Sequence, residues 1–595
     1  MTDSLRDRLS ALPDVARDPV LRELAVVLTS PTGTSSAGWP YLSGHAWARF
    51  RDWVPHLFGA GQRVWLGVAD IEARAAEVGA TAGEQADLGR AAKVVRQVVR
   101  TAAVTAPPEL WLLRGVLSAL DRAGLLEQWR AGEVVEAAQL VARPEELAPD
   151  LTLLLGRHLI GRAGEGYRWL ELPGPQAVLR ELPPLPADLP TDLSVRWAAA
   201  LQGETTDLGL LQGILERPLP PTTRHTPAWL PTPAELELGW RLVPFVLGLR
   251  ATGRIRGLLG AEVLQEADLQ PLPPALAAAG LGLLRDVGAL DETGQLTAVG
   301  RRTLARGPGP FGIIETYHPY LGQLPRIWAE GRGAVHVERS ANVAASQDAN
   351  RRTFAKANDA LDAFCRETGF AYTLFIEHAV GKGEATRQRR ERSGDGLDYV
   401  GADLEDAAID AAIAEQQAGR LPPTMRFVRS ADIGRPDILV DQLRAWGLEP
   451  EGAVMLVGNG FHEVRGQRGG RMVEVFAGYE QAGIVLLFTE ESALAVDDLL
   501  ETAWNTYHGA FRYVHERSGQ TLRPATPRPP SQFGEDQPAS WTECAQDAGY
   551  VRVSDHSSRS RTIYPYPRAN GCNPSISVNH FFVPARIATR LGLGA

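Results

Sequence analysis

The chain has 595 residues, 44% of them apolar and 22% charged, and a net charge of −10. That length exceeds one core, so roughly two to four domains are expected, of ordinary soluble globular composition. Net acidity argues against a chain whose main task is coating nucleic acid. Three scattered cysteines (Cys365, Cys544, Cys572) without a C-x-x-C argue against a disulfide framework, and no apolar run approaches the roughly 20 residues that span a bilayer.

In chain order, residues 1–9 read as an amphipathic helix with no apolar signal-peptide core, so a cytoplasmic location is expected. Heavy use of Ala, Gly, Leu, Arg and Pro suggests a bacterial gene of high GC content. Residues 1–230 form a mainly helical region, with helix-period segments at 91–104 and 110–125 and a helix leading into a short strand or wing over 151–172. Two proline-rich stretches, 172–189 and 217–233, read as extended linkers that helices cannot cross. In 231–310 a helix over 275–287 precedes strand, turn and strand over 288–300, with Asp291-Glu-Thr-Gly294 as the turn. A helix restarts at 301–306.

The most informative stretch is Phe375-Ile-Glu-His-Ala-Val-Gly-Lys-Gly-Glu384. Residues 372–376 read as a buried strand, Gly381 and Gly383 turn the chain, and a helix begins near Glu384. A second strand over 397–402 stops at Asp403, twenty residues beyond Gly383. Strand, glycine turn, helix, strand and acid in that register are the layout of a nucleotide-type cofactor site, because glycines allow close backbone approach and the acid accepts from ribose hydroxyls. A dinucleotide fingerprint needs a third glycine where Thr386 stands, and here an extra acid, Glu377, precedes the turn.

The spacing Glu377-x-Ala379-x-Gly381-x-Gly383 instead resembles motif I of class I S-adenosylmethionine (SAM)-dependent methyltransferases, with Ala379 in place of the first glycine. The resemblance continues in that family's order. Residues 401–412 resemble motif II, which implies Asp403 on the ribose with Leu404 beside it. Residues 427–433 resemble the third strand, with Asp432 for the adenine amino group and Ile433 next to it. Residues 453–464 resemble the fourth strand and its loop, which carries Asn459; 482–489 resemble the fifth, and 541–553 and 575–583 the closing strands. The implied fold is α/β: a Rossmann-like seven-stranded methyltransferase sheet in 311–595, preceded by the helical region and a winged-helix-like module over 231–310. Small-molecule O-methyltransferases commonly use such a module for dimerisation and to close the pocket, so a homodimer is expected.

The resemblance also implies the chemistry. His462, in Gly460-Phe-His-Glu-Val464, stands where a His-Asp-Trp-like motif places a base. Glu463 matches its acid, and Val464 replaces the tryptophan. His508 is the reserve base, on a helix face expected to include Trp504, Phe511 and His515. Tyr320 and Asn342 are expected over the methionine end of SAM. Lys382, Arg387, Arg389, Arg390 and Arg392 read as a solvated helix face, and no zinc spacing occurs, so no metal is expected. Each piece has a plain structural alternative: a strand-to-helix turn, helix-capping acids, a packing histidine. The leading reading is a SAM-dependent methyltransferase acting on an oxygen of a small molecule. Behind it stand a nucleic-acid methyltransferase and a SAM-binding regulatory protein without turnover.

Overall fold

A computed structural model describes residues 3–35, 38–53, 57–186, 189–221, 230–335, 340–467, 470–502, 508–535, 537–562 and 576–593. The chain divides into two compact units. One comprises Met1–Val337, Ala495–Val514 and Ile563–Pro574; the other comprises Glu338–Leu494, His515–Thr562 and Ser575–Ala595. The expected boundaries at 230 and 310 do not coincide with this division.

The first unit is built on helices. Its longest, α1 (Ala82–Arg122), opens with a Thr81–Glu84 capping box and is buried throughout 101–113. It joins the two helical segments expected at 91–104 and 110–125, because Pro107 and Pro108 lie inside it without ending it. A second helix, α2 (Pro233–Ala251), starts with proline at its first position and a Thr232–Glu235 capping box, and is buried from Pro233 to Leu249. Gly239 lets α2 approach closely: a Cβ there would fall 2.5 Å from Leu110 Cβ. Charges on these buried helices are paired, Glu237 holding Arg114 at 2.7 Å and Arg241 at 2.8 Å.

Two expectations for this unit are corrected. The proline-rich stretch from residue 172 contains a helix, Pro173–Glu181, because prolines in a first turn forfeit no helical hydrogen bond. The strand-turn-strand expected over 288–300 is a single antiparallel bridge, Leu290 to Leu296. The Asp291 carboxylate accepts from the Thr293 and Gln295 N–H groups, and Thr297 already caps a helix that starts at Ala298. That early start leaves no residues for a second strand. Elsewhere the unit holds two short hairpins, Thr32–Thr34 with Pro40–Leu42 and Ile160–Ala163 with Gly166–Trp169.

The second unit contains the sheet. Its strands are β1 (Leu374–His378), β2 (Asp398–Ala402), β3 (Arg426–Val428), β4 (Val454–Gly458), β5 (Val485–Glu491), β6 (Tyr550–Arg552), β7 (Ser558–Thr562) and β8 (Ile576–Pro584). Seven lie in the order β3-β2-β1-β4-β5-β8-β6, and β7 pairs with β8 beside that path. β1 to β5 are mutually parallel, while β8 runs antiparallel to β5 and β6. This is the mostly parallel, Rossmann-like seven-stranded sheet expected of the C-terminal half.

Strand alternation divides the core in two. Phe375, Tyr399, Leu456 and Leu487 pack with Phe354 and Leu361 of α3 (Ser340–Thr368), Ala385 of α4 (Glu384–Ser393) and Ile409 of α5 (Asp406–Gln417). Ile376, Val400, Met455 and Leu486 pack with Leu439 of α6 (Pro436–Ala445) and Met472 of α7 (Arg471–Gln481). The parallel strands therefore send all their carboxyl ends to one edge, where an open α/β sheet takes its ligand.

Candidate functional site

The turn after β1 is left-handed three times, at Ala379 (φ 57°), Gly381 (φ 49°) and Gly383 (φ 75°). Gly383 directly precedes α4 and has no side chain to cap it, so the helix is held from inside the sheet. Glu377 accepts from the Ala385 N–H at 3.1 Å, the Thr386 N–H at 2.7 Å and the Thr386 hydroxyl at 2.6 Å. Burial pushes the Glu377 carboxyl up to about 7, against the opposing pull of those donors. Glu377, expected among the cofactor-binding residues, thus engages both oxygens within the protein.

The loops after β2, β3 and β4 carry the other expected cofactor residues. Asp403 is half-buried; one oxygen accepts from the Gly381 N–H at 3.1 Å, the other from the Glu405 N–H at 3.0 Å. Burial raises its carboxyl above the usual value, with the Glu405 and Gly381 N–H groups opposing. Leu404, beside it, is 55% exposed. The Ala431 N–H donates to Asp403 O at 2.8 Å, which ties the second loop to the third. β3 ends at Val428 rather than running to residue 433, because Ser430 turns left-handed (φ 48°) and leaves Asp432 half-buried beside buried Ile433. Asp432 accepts from the Gly434 N–H at 2.8 Å. Asn459 is also left-handed (φ 54°), its N–H bonded to Thr489 O of β5 at 2.8 Å.

His462 sits on a single 3-10 turn, Phe461–Glu463, just past β4, and is 6% exposed. Its Nδ1 lies 2.7 Å from Glu490, a wholly buried residue of β5 that also accepts from the Phe461 N–H at 2.6 Å. Its Nε2 lies 3.7 Å from Glu463, beyond hydrogen-bond reach. Burial alone would lower the imidazole's pKa; the charge and hydrogen bond of Glu490, with the charges of Glu463 and Glu491, outweigh it and raise the value. Glu463, expected as the histidine's acid, instead accepts from the Gln520 amide. Glu490 takes that place, and the His515 ring centroid lies 5.3 Å from that of His462, edge to face.

The second unit therefore brings together Glu377, Ala379, Gly381, Gly383, Asp403, Leu404, Asp432, Ile433, Asn459, His462 and Glu463. Tyr320 and His508 belong to the first unit, both buried, Tyr320 against Tyr317 and His508 against Phe511. The side chain of Asn342 and all of Trp504 lie outside the described residues. The basic run is only partly a solvated face: Arg389 is 2% exposed and paired with Asp362 at 2.6 Å. Among the described residues no group of His, Cys, Asp or Glu could hold a metal, and no helix is long and apolar enough to cross a membrane.

Two half-buried acids in the loops after adjacent strands suit a ligand that donates hydroxyl and amino hydrogens. Each carboxylate can accept more hydrogen bonds than it makes here, two at Asp403 and one shown at Asp432.

No family model matches the chain, and no curated protein matches it. Among solved structures it is similar to the CurJ carbon methyltransferase, at 12% identity and a TM-score of 0.29, covering 66% of this chain and 98% of that one. An O-methyltransferase, NcsB1, from neocarzinostatin biosynthesis was solved with S-adenosyl-L-homocysteine and 1,4-dihydroxy-2-naphthoic acid. It gives 16% identity and a TM-score of 0.30 over 56% of this chain and 94% of that one. A putative O-methyltransferase from Nostoc punctiforme PCC 73102 gives 9% and 0.32 over 56% and 97%. At such scores the likeness carries no weight of its own; strand order and loop geometry bear on function.

Proposed function

We propose that the second unit is a SAM-dependent methyltransferase that acts on an oxygen of a small molecule, with His462 as its base. The observation that carries this is the alignment of the left-handed glycine turn, Asp403, Asp432 and the His462–Glu490 pair on the carboxyl ends of β1 to β5. In this reading Asp403 binds the ribose hydroxyls, Asp432 the adenine amino group, and exposed Leu404 supplies an apolar surface between them. The bound cofactor supplies an activated methyl carbon, so the protein must align the acceptor and remove its proton. Glu490 accepts the Nδ1 hydrogen of His462, which leaves the Nε2 lone pair to take that proton and steadies the imidazolium that results.

Calorimetric titration with SAM tests the site. Asp403→Ala should weaken binding at least about tenfold, since hydrogen bonds to a charged acceptor are worth about 1.5–3 kcal/mol. Equal affinities, or a parent that prefers NAD, would refute the assignment. The homodimer belongs to the same proposal, and light scattering should return twice the chain mass.

A further inference from the structure

We infer that His378 is a positioning residue that pins the first turn of the cofactor loop in its left-handed form; the inference rests on the proposed SAM site. His378 is the last residue of β1, on the face whose neighbours Leu374 and Ile376 lie in the apolar core, and is itself 2% exposed. A histidine there is out of pattern unless its polar atoms are used. One is: Nδ1 accepts the Ala379 N–H at 2.9 Å. That bond assigns the proton to Nε2, which is buried without a partner. Burial holds the imidazole's pKa down to about 3, so Nδ1 remains an acceptor throughout the physiological range.

The residue so pinned needs it. Ala379 has φ 57°, a conformation costly for any residue with a Cβ. Its methyl group also bounds Gly460, where a Cβ would come 3.5 Å from it. Register places His378 between Ala402, which precedes Asp403, and Val457, which lies two residues before Asn459. A flip of the 378–379 backbone would therefore disturb the Gly381 N–H that Asp403 accepts. His378 and Ala379 work as a pair, the imidazole supporting a turn that glycine would make unaided.

The test is a cycle of SAM titrations on the full chain. His378→Leu should weaken SAM about tenfold, and His378→Asn, whose Oδ1 lies where Nδ1 does, should stay within about threefold of the parent. Adding Ala379→Gly to His378→Leu should restore most of the affinity, because glycine adopts that φ without support. A mere packing fault at 378 would not be relieved by removing a methyl group at 379. His378→Leu binding like the parent, or no relief from Ala379→Gly, overturns the inference. Should the leucine variant not fold, His378→Met replaces it, and equal binding by the Met and Asn variants overturns it. A parent that binds no SAM refutes the methyltransferase site instead, an outcome distinct from all of these.

Discussion

Glu490 sets what His462 can do, because a buried carboxylate on Nδ1 fixes the ring's tautomer and raises its basicity. If His462 is the base, as proposed, it is inactive when protonated, and turnover should fall as pH drops through a value above the histidine's ordinary 6.5. Glu490→Gln should slow turnover about 10²-fold, leave SAM affinity unchanged and move the acid limb of the pH–rate profile to lower pH. A limb that stays put would transfer the titration to another group. The place of His462 just past β4 was legible in the sequence, because the residue follows an apolar strand and a glycine-rich loop. Glu490 was not: it lies 28 residues later, near the end of an apolar strand. Glu463 was the nearer acid, yet the 3-10 turn sends its carboxylate to Gln520.

At the scale of elements, the strand-to-helix unit of β1 and α4 depends on Glu377. Glu377→Ala strands two backbone N–H groups at the start of α4 and should cost about 3 kcal/mol in chemical denaturation. The carboxyl titrates near 7 when folded against an ordinary 4.5, so the folded state binds the proton more tightly. Its contribution to stability is fully present below about 4.5 and lost as pH rises through about 7. Glu377→Gln should flatten that slope, and an unchanged slope would show that other groups carry it. The parallel strands were readable as short apolar runs because both their faces are buried. The strand-turn-strand expected over 288–300 does not form, since a threonine cap competes for the same residues and wins. The continuity of α1 was not readable, because packing there overrides two prolines.

At the scale of the molecule, a boundary drawn from proline density and motifs isolates 311–595, whereas the folded chain passes between units after residues 337, 494, 514, 562 and 574. The segment after β5 belongs to the first unit: Glu109 accepts the Ala510 N–H at 3.1 Å, and Asp150 accepts the Tyr513 hydroxyl at 2.9 Å. Trp47 Nε1 donates to Glu501 O at 3.0 Å. A fragment of 311–595 contains every strand of the large sheet but leaves Ala510 and Tyr513 without Glu109 and Asp150. Limited proteolysis should therefore cut it within residues 508–514, a segment that the full chain protects. Equal resistance of that segment in the fragment and in the full chain would overturn this. Composition could not reveal such exchange, because it depends on single contacts far apart along the chain. Synthesis from the N-terminus gives the same contacts a temporal meaning. Glu109 leaves the ribosome 401 residues ahead of Ala510, and Asp150 leaves 363 residues ahead of Tyr513. At about 5–20 residues per second these two hydrogen bonds close tens of seconds after the acids emerge. That is well after Arg157, 48 residues beyond Glu109, has come within reach of that acid, and in the interval a chaperone has time to act.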